Sequence, residues 1–139
     1  MSMFKVFDIA GSAMSAQTLR LNVTASNLAN ANSVSSSTDK TYRAREPVFA
    51  TMLDQAGGGD TPEAVGVQVQ GIVESQAPLQ REYAPNHPMA DADGYIYMPN
   101  VNTVEEMANM ISASRSYQTN VEVMNTAKQL MLRTLAIGQ

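Results

Sequence analysis

The stretch SNLANANS, residues 26–33, decides how the chain begins, because it closes a long run with the spacing of an amphipathic helix. Upstream of it, large apolar side chains recur every seven residues, at Phe7, Met14, Leu21 and Leu28. This spacing puts them on one face of a helix of about eight turns. A polar, serine-rich stretch follows at residues 33–38. The sequence therefore predicts a helix that ends near Asn30 to Asn32.

A second helical pattern occupies the other end of the chain, at about residues 102–137. Asn102 or Thr103 is placed to cap it, and two glutamates fall in its first turn, where the helix dipole favours acidic side chains. Its apolar stripe consists of Met107, Met110, Ile111, Tyr117, Val121, Met124, Met131 and Leu135. Such a helix is about 50 Å long, whereas a small domain is about 30 Å across. We therefore expect it to need a partner outside its own domain.

The middle of the chain holds all six prolines and most of the glycines, and its apolar residues follow a different period. Alternating valines predict a strand at about 65–75, with a partner strand at 42–49. The glycine-rich residues 57–62 predict a flexible loop. Asp93-Gly94 predicts a tight turn before a short strand at 95–98. The middle is also where the acidic residues outnumber the basic ones.

These patterns predict an α+β protein with three parts. They are an N-terminal helix at 1–32, a small β-rich middle module with flexible loops at 33–100, and a C-terminal helix at 101–139. A chain of 139 residues has room for about one domain, and a hydrophobic share of 44% is in the globular range.

Composition argues against several classes of function. A net charge of −4 does not suit a protein that binds nucleic-acid phosphates. The absence of cysteine removes disulfides, thiolate metal sites and cysteine nucleophiles. No apolar run is long enough to predict a membrane span, and the N-terminus lacks the pattern of a secretory signal peptide. If the protein leaves the cytoplasm, we expect it to use another route.

No catalytic residue, metal site or cofactor is predicted. The single histidine, His87, lies beside a proline in a turn, where histidine is far more often structural than catalytic. Asp91-Ala92-Asp93-Gly94 is superficially like a calcium loop, but the first and closing ligand positions fall on Met89 and Asn100, which do not fit. The protein is therefore predicted not to be an enzyme.

The two apolar stripes allow three interpretations. Such a stripe usually packs into a protein's own core. A helix on a membrane surface needs a basic polar face, and the first helix has only Lys5 and Arg20. Burial against neighbouring subunits is favoured, because the first stripe is rich in small residues that bury little area and the second helix outruns its domain.

Four stretches of the sequence resemble the flagellar axial proteins of bacteria, the family of rod and hook subunits. They are FDIAGSA at 7–13, SNLANANS at 26–33, the run from NHP to DGY at 86–95, and the run from VEEM to SYQTN at 104–120. The resemblance extends over about residues 1–50 and 66–139. It implies that the terminal helices pair as an antiparallel coiled coil inside the rod, with the middle module outside it.

The resemblance also implies a function, a set of partners and a location. The function is that of a structural subunit of the proximal rod, which polymerises through its terminal helices into a helical tube that transmits torque and forms part of the export channel. The partners are other proximal rod proteins, copies of itself, the adaptor that joins the rod to the membrane ring, and the flagellar type III export apparatus. The location is the basal body in the periplasm, reached without a cleaved signal peptide.

The predicted assembly interface combines the two helical stripes with two asparagines. Asn27 and Asn30 lie three residues apart and so share a helix face, where their amides are predicted to bond to a neighbouring subunit's backbone. A plain helix stop is the alternative for them. The full set is Phe7, Met14, Leu21, Asn27, Leu28, Asn30, Met107, Met110, Ile111, Tyr117, Val121, Met124, Met131 and Leu135.

Two other functions stay open at this point. One is a small hydrolase that uses carboxylates of the middle module, although no carboxylate pair at a telling position supports it. The other is a soluble helical adaptor or a secreted translocation component. Terminal segments that become fully ordered only on polymerisation would favour the rod subunit over a stable adaptor.

Overall fold

The computed structural model describes residues 3–54 and 63–137, so the predicted loop at 57–62 lies outside the described residues. In chain order the elements are α1 (Met3–Asn30), β1 (Arg45–Asp54), β2 (Glu63–Glu74), β3 (Gln80–Tyr83), β4 (Tyr95–Met98) and α2 (Thr103–Ile137). The protein is α+β, as predicted, with one long helix near each end of the chain and two small antiparallel ribbons between them.

Both helix ends near the middle of the molecule are set by asparagines. At the end of α1, the Asn30 side-chain amide donates to the Ser26 carbonyl at 2.8 Å, and the Asn30 carbonyl accepts from the Ser33 hydroxyl at 2.8 Å. At the start of α2, the Asn102 side-chain oxygen accepts from the backbone N–H of Val104 at 3.1 Å and of Glu105 at 3.4 Å. The predicted end of α1 near Asn30 and the predicted start of α2 are thereby confirmed, with Asn102 as the N-cap.

The two helices pack along each other in opposite directions. Asn27, near the end of α1, bonds to Glu106 in the first turn of α2, whereas Val6 lines a groove together with α2 residues between 119 and 130. With 28 residues in α1 and 35 in α2, the second helix is longer by about 10 Å. Because Asn27 lies beside Glu106, this excess falls at the C-terminal end of α2, which extends past the start of α1.

Small and polar side chains occupy the line where the helices meet, which we call the seam. Its buried members are Ala10, Thr24 and Asn27 of α1 and Glu106, Ala113 and Ala127 of α2, while Ala16 and Val23 are buried on the face of α1 that also carries Ser12. Small residues let two helix axes come close, but each buries little apolar area. The large side chains of the predicted stripes are half-buried or exposed in the single chain.

The longer ribbon joins β1 to β2, with Arg45 opposite Glu74 at its base. It leans on α1, where the Ser12 hydroxyl accepts from the Val67 N–H at 3.1 Å. The predicted strand at 65–75 is confirmed, but its partner begins at Arg45 and not at residue 42. Just before the strand, the Ala44 N–H donates to the Asn100 side chain at 2.8 Å, while its carbonyl accepts from the Ser75 N–H at 2.8 Å.

The shorter ribbon pairs β3 with β4, and the predicted tight turn lies before β4, with Gly94 at a φ of 82°. The Asp91 carboxylate holds this turn, because it accepts from the N–H of Tyr95 at 2.8 Å and of Asp93 at 3.0 Å. These hydrogen bonds, the Tyr95 N–H first among them, lower the pKa of Asp91. The predicted strand at 95–98 is confirmed, while its partner β3 was not predicted.

Candidate assembly surface and the asparagine junction

The end of α1, the entry to β1 and the start of α2 meet at one buried amide. Asn27 is 1% exposed. Its nitrogen donates to the Arg45 carbonyl at 2.9 Å and to the Glu106 carboxylate at 3.1 Å. Its oxygen accepts from the Tyr42 hydroxyl at 2.8 Å and from the Arg45 N–H at 3.0 Å. We call Asn27, Tyr42, Arg45 and Glu106 the asparagine junction.

Every hydrogen-bonding position of the Asn27 amide is occupied in the junction, which is the maximum that this side chain allows. Glu106 is 9% exposed and lies near the N-terminal end of α2, where the helix dipole favours its charge. The Arg45 guanidinium stacks over the Tyr42 ring at 5.4 Å and pairs with Glu74 at 3.3 Å, with both side chains of that pair about half exposed. The exposed ion pair between Arg45 and Glu74 adds little stability, so the buried Asn27 amide is the main link between α1, β1 and α2.

A second asparagine links the base of the longer ribbon to the start of α2. The Asn100 side-chain oxygen accepts from the Ala44 N–H at 2.8 Å, and its nitrogen donates to the Ala77 carbonyl at 2.9 Å and the Ser75 carbonyl at 3.3 Å. From the sequence, Asn100 was predicted only to be unsuitable as a calcium ligand. The available signal was a polar amide directly after Pro99 and two residues before the N-cap Asn102.

Two of the predicted interface residues are asparagines, and their amides are engaged within the chain. Asn27 belongs to the junction, and Asn30 closes its own helix. A role for them in assembly stays a prediction. For Asn27 such a role would act through the position of the elements it joins, since its amide has no further hydrogen bond to offer a neighbour.

The predicted apolar residues fall into two groups. The first group is half-buried in the single chain and consists of Phe7, Met14, Leu21, Leu28, Met110, Val121, Met124 and Met131. The second group is exposed and consists of Met107, Ile111, Tyr117 and Leu135. Tyr117 lies seven residues from both Met110 and Met124 and shares their helix face, whereas Met107 and Ile111 lie on another side of α2 and Leu135 lies beyond the start of α1.

Several exposed apolar side chains were not predicted as interface residues. Val104, which is 74% exposed, joins Met107 and Ile111 on the side of α2 that faces away from α1. At the other end of the helix pair, Phe4 is 72% exposed, and Leu130 and Leu132 are also exposed. Together these side chains leave apolar surface open near both ends of the pair, which is typical of a surface that binds another protein.

Within residues 3–54 and 63–137, no three histidine, aspartate or glutamate side chains are grouped to hold a metal. His87 accepts the Met89 N–H at 3.0 Å and so stabilises its own turn. Neither long helix, over its described residues, is apolar enough to cross a membrane.

Comparison with known proteins gives matches at both ends and over the whole length. Residues 7–35 match the family model of flagella basal body rod protein, and residues 92–137 match that of the flagellar basal body rod FlgEFG protein C-terminal region. The chain is 54% identical to flagellar basal-body rod protein FlgC of Salmonella typhimurium and 52% identical to that of Yersinia enterocolitica. It is 38% identical to the FlgC protein of Buchnera aphidicola subsp. Baizongia pistaciae.

Each of these three alignments covers all of this chain and all of the relative. The resemblance in the asparagine-rich stretch and in α2 is thus part of a likeness that extends from end to end. This chain belongs to the flagellar basal-body rod protein family and is a structural subunit of the rod, not an enzyme.

Proposed function

We propose that this subunit builds the proximal rod by burying its paired terminal helices among those of its neighbours. The observation that carries the proposal is the apolar surface that the single chain leaves open on these helices. Leu135 is 69% exposed, and Leu132 and Phe4 are likewise exposed at the same end of the pair. Leucine and phenylalanine side chains each gain about 1.5–3 kcal/mol on full burial, so neighbours that cover them stabilise the assembly.

The pair itself is proposed to act as an antiparallel coiled coil. Seam positions Glu106, Ala113 and Ala127 fall on a seven-residue repeat, as expected for helices that keep one face toward each other. Half-buried side chains flank this line on both helices, namely Met14, Leu21, Leu28, Met110, Met124 and Met131. Methionine adapts its shape to slightly different surroundings, which suits helices that meet several kinds of neighbour.

We expect the contacts between neighbouring subunits to be head to tail. Such contacts generate an open helical tube if they do not close into a ring. In the proposed tube the coiled coils form the inner layer, where they line the export channel, and the middle module of residues 33–100 lies outside them. Many small contacts between long helices resist twist together, which is how such a tube would transmit torque.

The proposed partners are other proximal rod proteins, further copies of the chain, the adaptor to the membrane ring and the type III export apparatus. The proposed location of the assembled subunit is the periplasmic part of the basal body, reached without a cleaved signal peptide. A chain without cysteine suits this path, because it forms no wrong disulfides when it moves into an oxidising compartment.

The proposal is tested by placing a charge on the open end of α2. Leu132→Asp is expected to abolish swimming and to remove the subunit from isolated basal bodies, because burying an unpaired carboxylate costs several kcal/mol. The free chain should keep its stability, since Leu132 is exposed in it.

The matched control is Gln129→Asp, which adds the same charge at an exposed polar position one turn away. It is expected to leave swimming and basal-body composition unchanged. Basal bodies of normal composition from Leu132→Asp cells would contradict the proposal.

A further inference from the structure

We propose that Asn27 determines the register of α2 against α1. Its amide is shared by α1, by the chain that enters β1, and by α2 through Glu106. The inference concerns a single chain and does not depend on what that chain assembles with.

A displacement of α2 by seven residues keeps the same side of α2 toward α1. It brings Ala113 to the place of Glu106, Asn120 to the fully buried place of Ala113, and Thr134 to the place of Ala127. The incoming Asn120 and Thr134 are polar, so the observed register is selected by which polar groups across the seam find hydrogen-bond partners.

The asparagine junction supplies this selection. After the seven-residue displacement, the buried Asn27 nitrogen loses its carboxylate acceptor and faces a methyl group. A buried donor without a partner is costly, whereas the same donor bonded to a carboxylate is stabilised. Displacement in the opposite direction is blocked, because it brings Pro99, which precedes α2, to the place of Glu106. A single polar residue inside an apolar seam is a known means of fixing helix register.

The junction also fixes where the longer ribbon leaves the helix pair. Asn27 bonds to both the N–H and the carbonyl of Arg45, the first residue of β1, and to the Tyr42 hydroxyl just before it. A register set at this point is therefore transmitted to the position of β1.

The test uses the absence of cysteine from the chain, because two introduced cysteines then carry the only spin labels. Labels on Ser15→Cys and Ala108→Cys lie at exposed positions of α1 and α2. Pulsed electron resonance on the free full-length chain gives the distribution of distances between them. We expect one defined distance in the labelled parent.

Asn27→Leu is expected to add a second population, longer by up to about 10 Å, which is the rise of seven helical residues. Asn22→Leu makes the same chemical change at an exposed position of α1 and is expected to keep the single distance. A single unchanged distance in Asn27→Leu would overturn the inference, and so would a parent without any defined distance.

A second pair of variants covers the case in which Asn27→Leu does not fold. Glu106→Gln keeps an oxygen acceptor for the Asn27 nitrogen and is expected to keep the single distance. Glu106→Leu fills similar space without an acceptor and is expected to show the second population. If both Glu106 variants give the same distribution, Glu106 serves only as packing and the inference is wrong.

Discussion

The two ends of the helix pair differ in what holds them. At the end near the middle module, the ties are buried hydrogen bonds between Asn27, Glu106 and the Arg45 backbone. At the far end, apolar side chains such as Phe4 and Leu135 lie open, and α2 continues past α1. The first end is tied by hydrogen bonds within the single chain, although Val104, Met107 and Ile111 lie exposed beside it, whereas the second end presents mainly apolar surface.

This contrast separates two requirements of a rod subunit. Hydrogen bonds are directional, so a buried polar cluster suits the end whose geometry must be defined before assembly. Apolar contact is not directional and suits the end that must meet several neighbours. Substitutions at each end can show whether the two ends are disturbed independently.

Met124→Asp should give the largest effect, namely complete loss of swimming and of rod assembly. Met124 is half-buried beside the seam, about five turns beyond Glu106. A carboxylate there resists burial among neighbours. Hydrogen exchange of the free chain should show both ribbons still protected. The control is Asn125→Asp, which replaces an exposed neighbouring side chain with a carboxylate of nearly the same shape. Cells with this variant should swim normally. A normal rod in Met124→Asp cells would refute the assignment of Met124 to the assembly interface.

Asn27→Ala should act on the asparagine junction, at the end of the helix pair near the middle module. It should lower the free energy of unfolding by about 3 kcal/mol, because several buried partners lose their hydrogen bonds together. Leu135→Ala should change the same quantity by less than about 0.5 kcal/mol, because Leu135 is exposed in the free chain. Urea unfolding of the two purified variants measures both values. Equal losses in the two variants would remove the distinction between the ends.

Gly66→Ala should disturb the contact between the longer ribbon and α1. A Cβ at Gly66 would lie 2.7 Å from the Ser12 hydroxyl oxygen and 3.3 Å from its Cβ, so the ribbon must shift. We expect a loss of about 1–2 kcal/mol. Gly71→Ala, in the same strand, meets nothing within 4 Å and is expected to lose less than about 0.5 kcal/mol. Thermal unfolding compares the pair, and equal melting temperatures would show that the ribbon is not held at this contact.

Gln17→Leu should have the smallest effect and the opposite sign. The side-chain oxygen of Gln17 is buried without a hydrogen-bond partner among the described residues. Replacing it with an apolar group of similar size removes that cost, and we expect a gain of about 1 kcal/mol in the free energy of unfolding. A loss of stability in denaturant unfolding would show that the amide is satisfied in the free chain.

The regular elements followed well from local patterns in the sequence. The end of α1, the cap of α2, the strand around 65–75 and the turn at Gly94 each depend on neighbouring residues, and each was predicted. The strand β3 was missed because its four residues, Gln80–Tyr83, are all exposed and show no alternation of apolar and polar side chains.

The junction could not be predicted in the same way, because its members are far apart in the sequence. Asn27 and Glu106 are separated by 79 residues, and nothing local indicates that one amide bonds to the other. The buried small residues were also not predicted, because the sequence pattern gives most weight to large apolar residues. In the structure, Ala16 and Ala113 are buried, whereas the large residues of the predicted stripes are half-buried or exposed.

The pairing of the first helix with the last gives this protein contacts of high sequence separation. Loop closure between such distant segments slows folding, and here it cannot occur before the last quarter of the chain is present. A chain that is still being synthesised, or that is threaded through a narrow pore, therefore lacks the partner for its first helix. The topology itself thus delays the compact state until the whole polypeptide is free on one side.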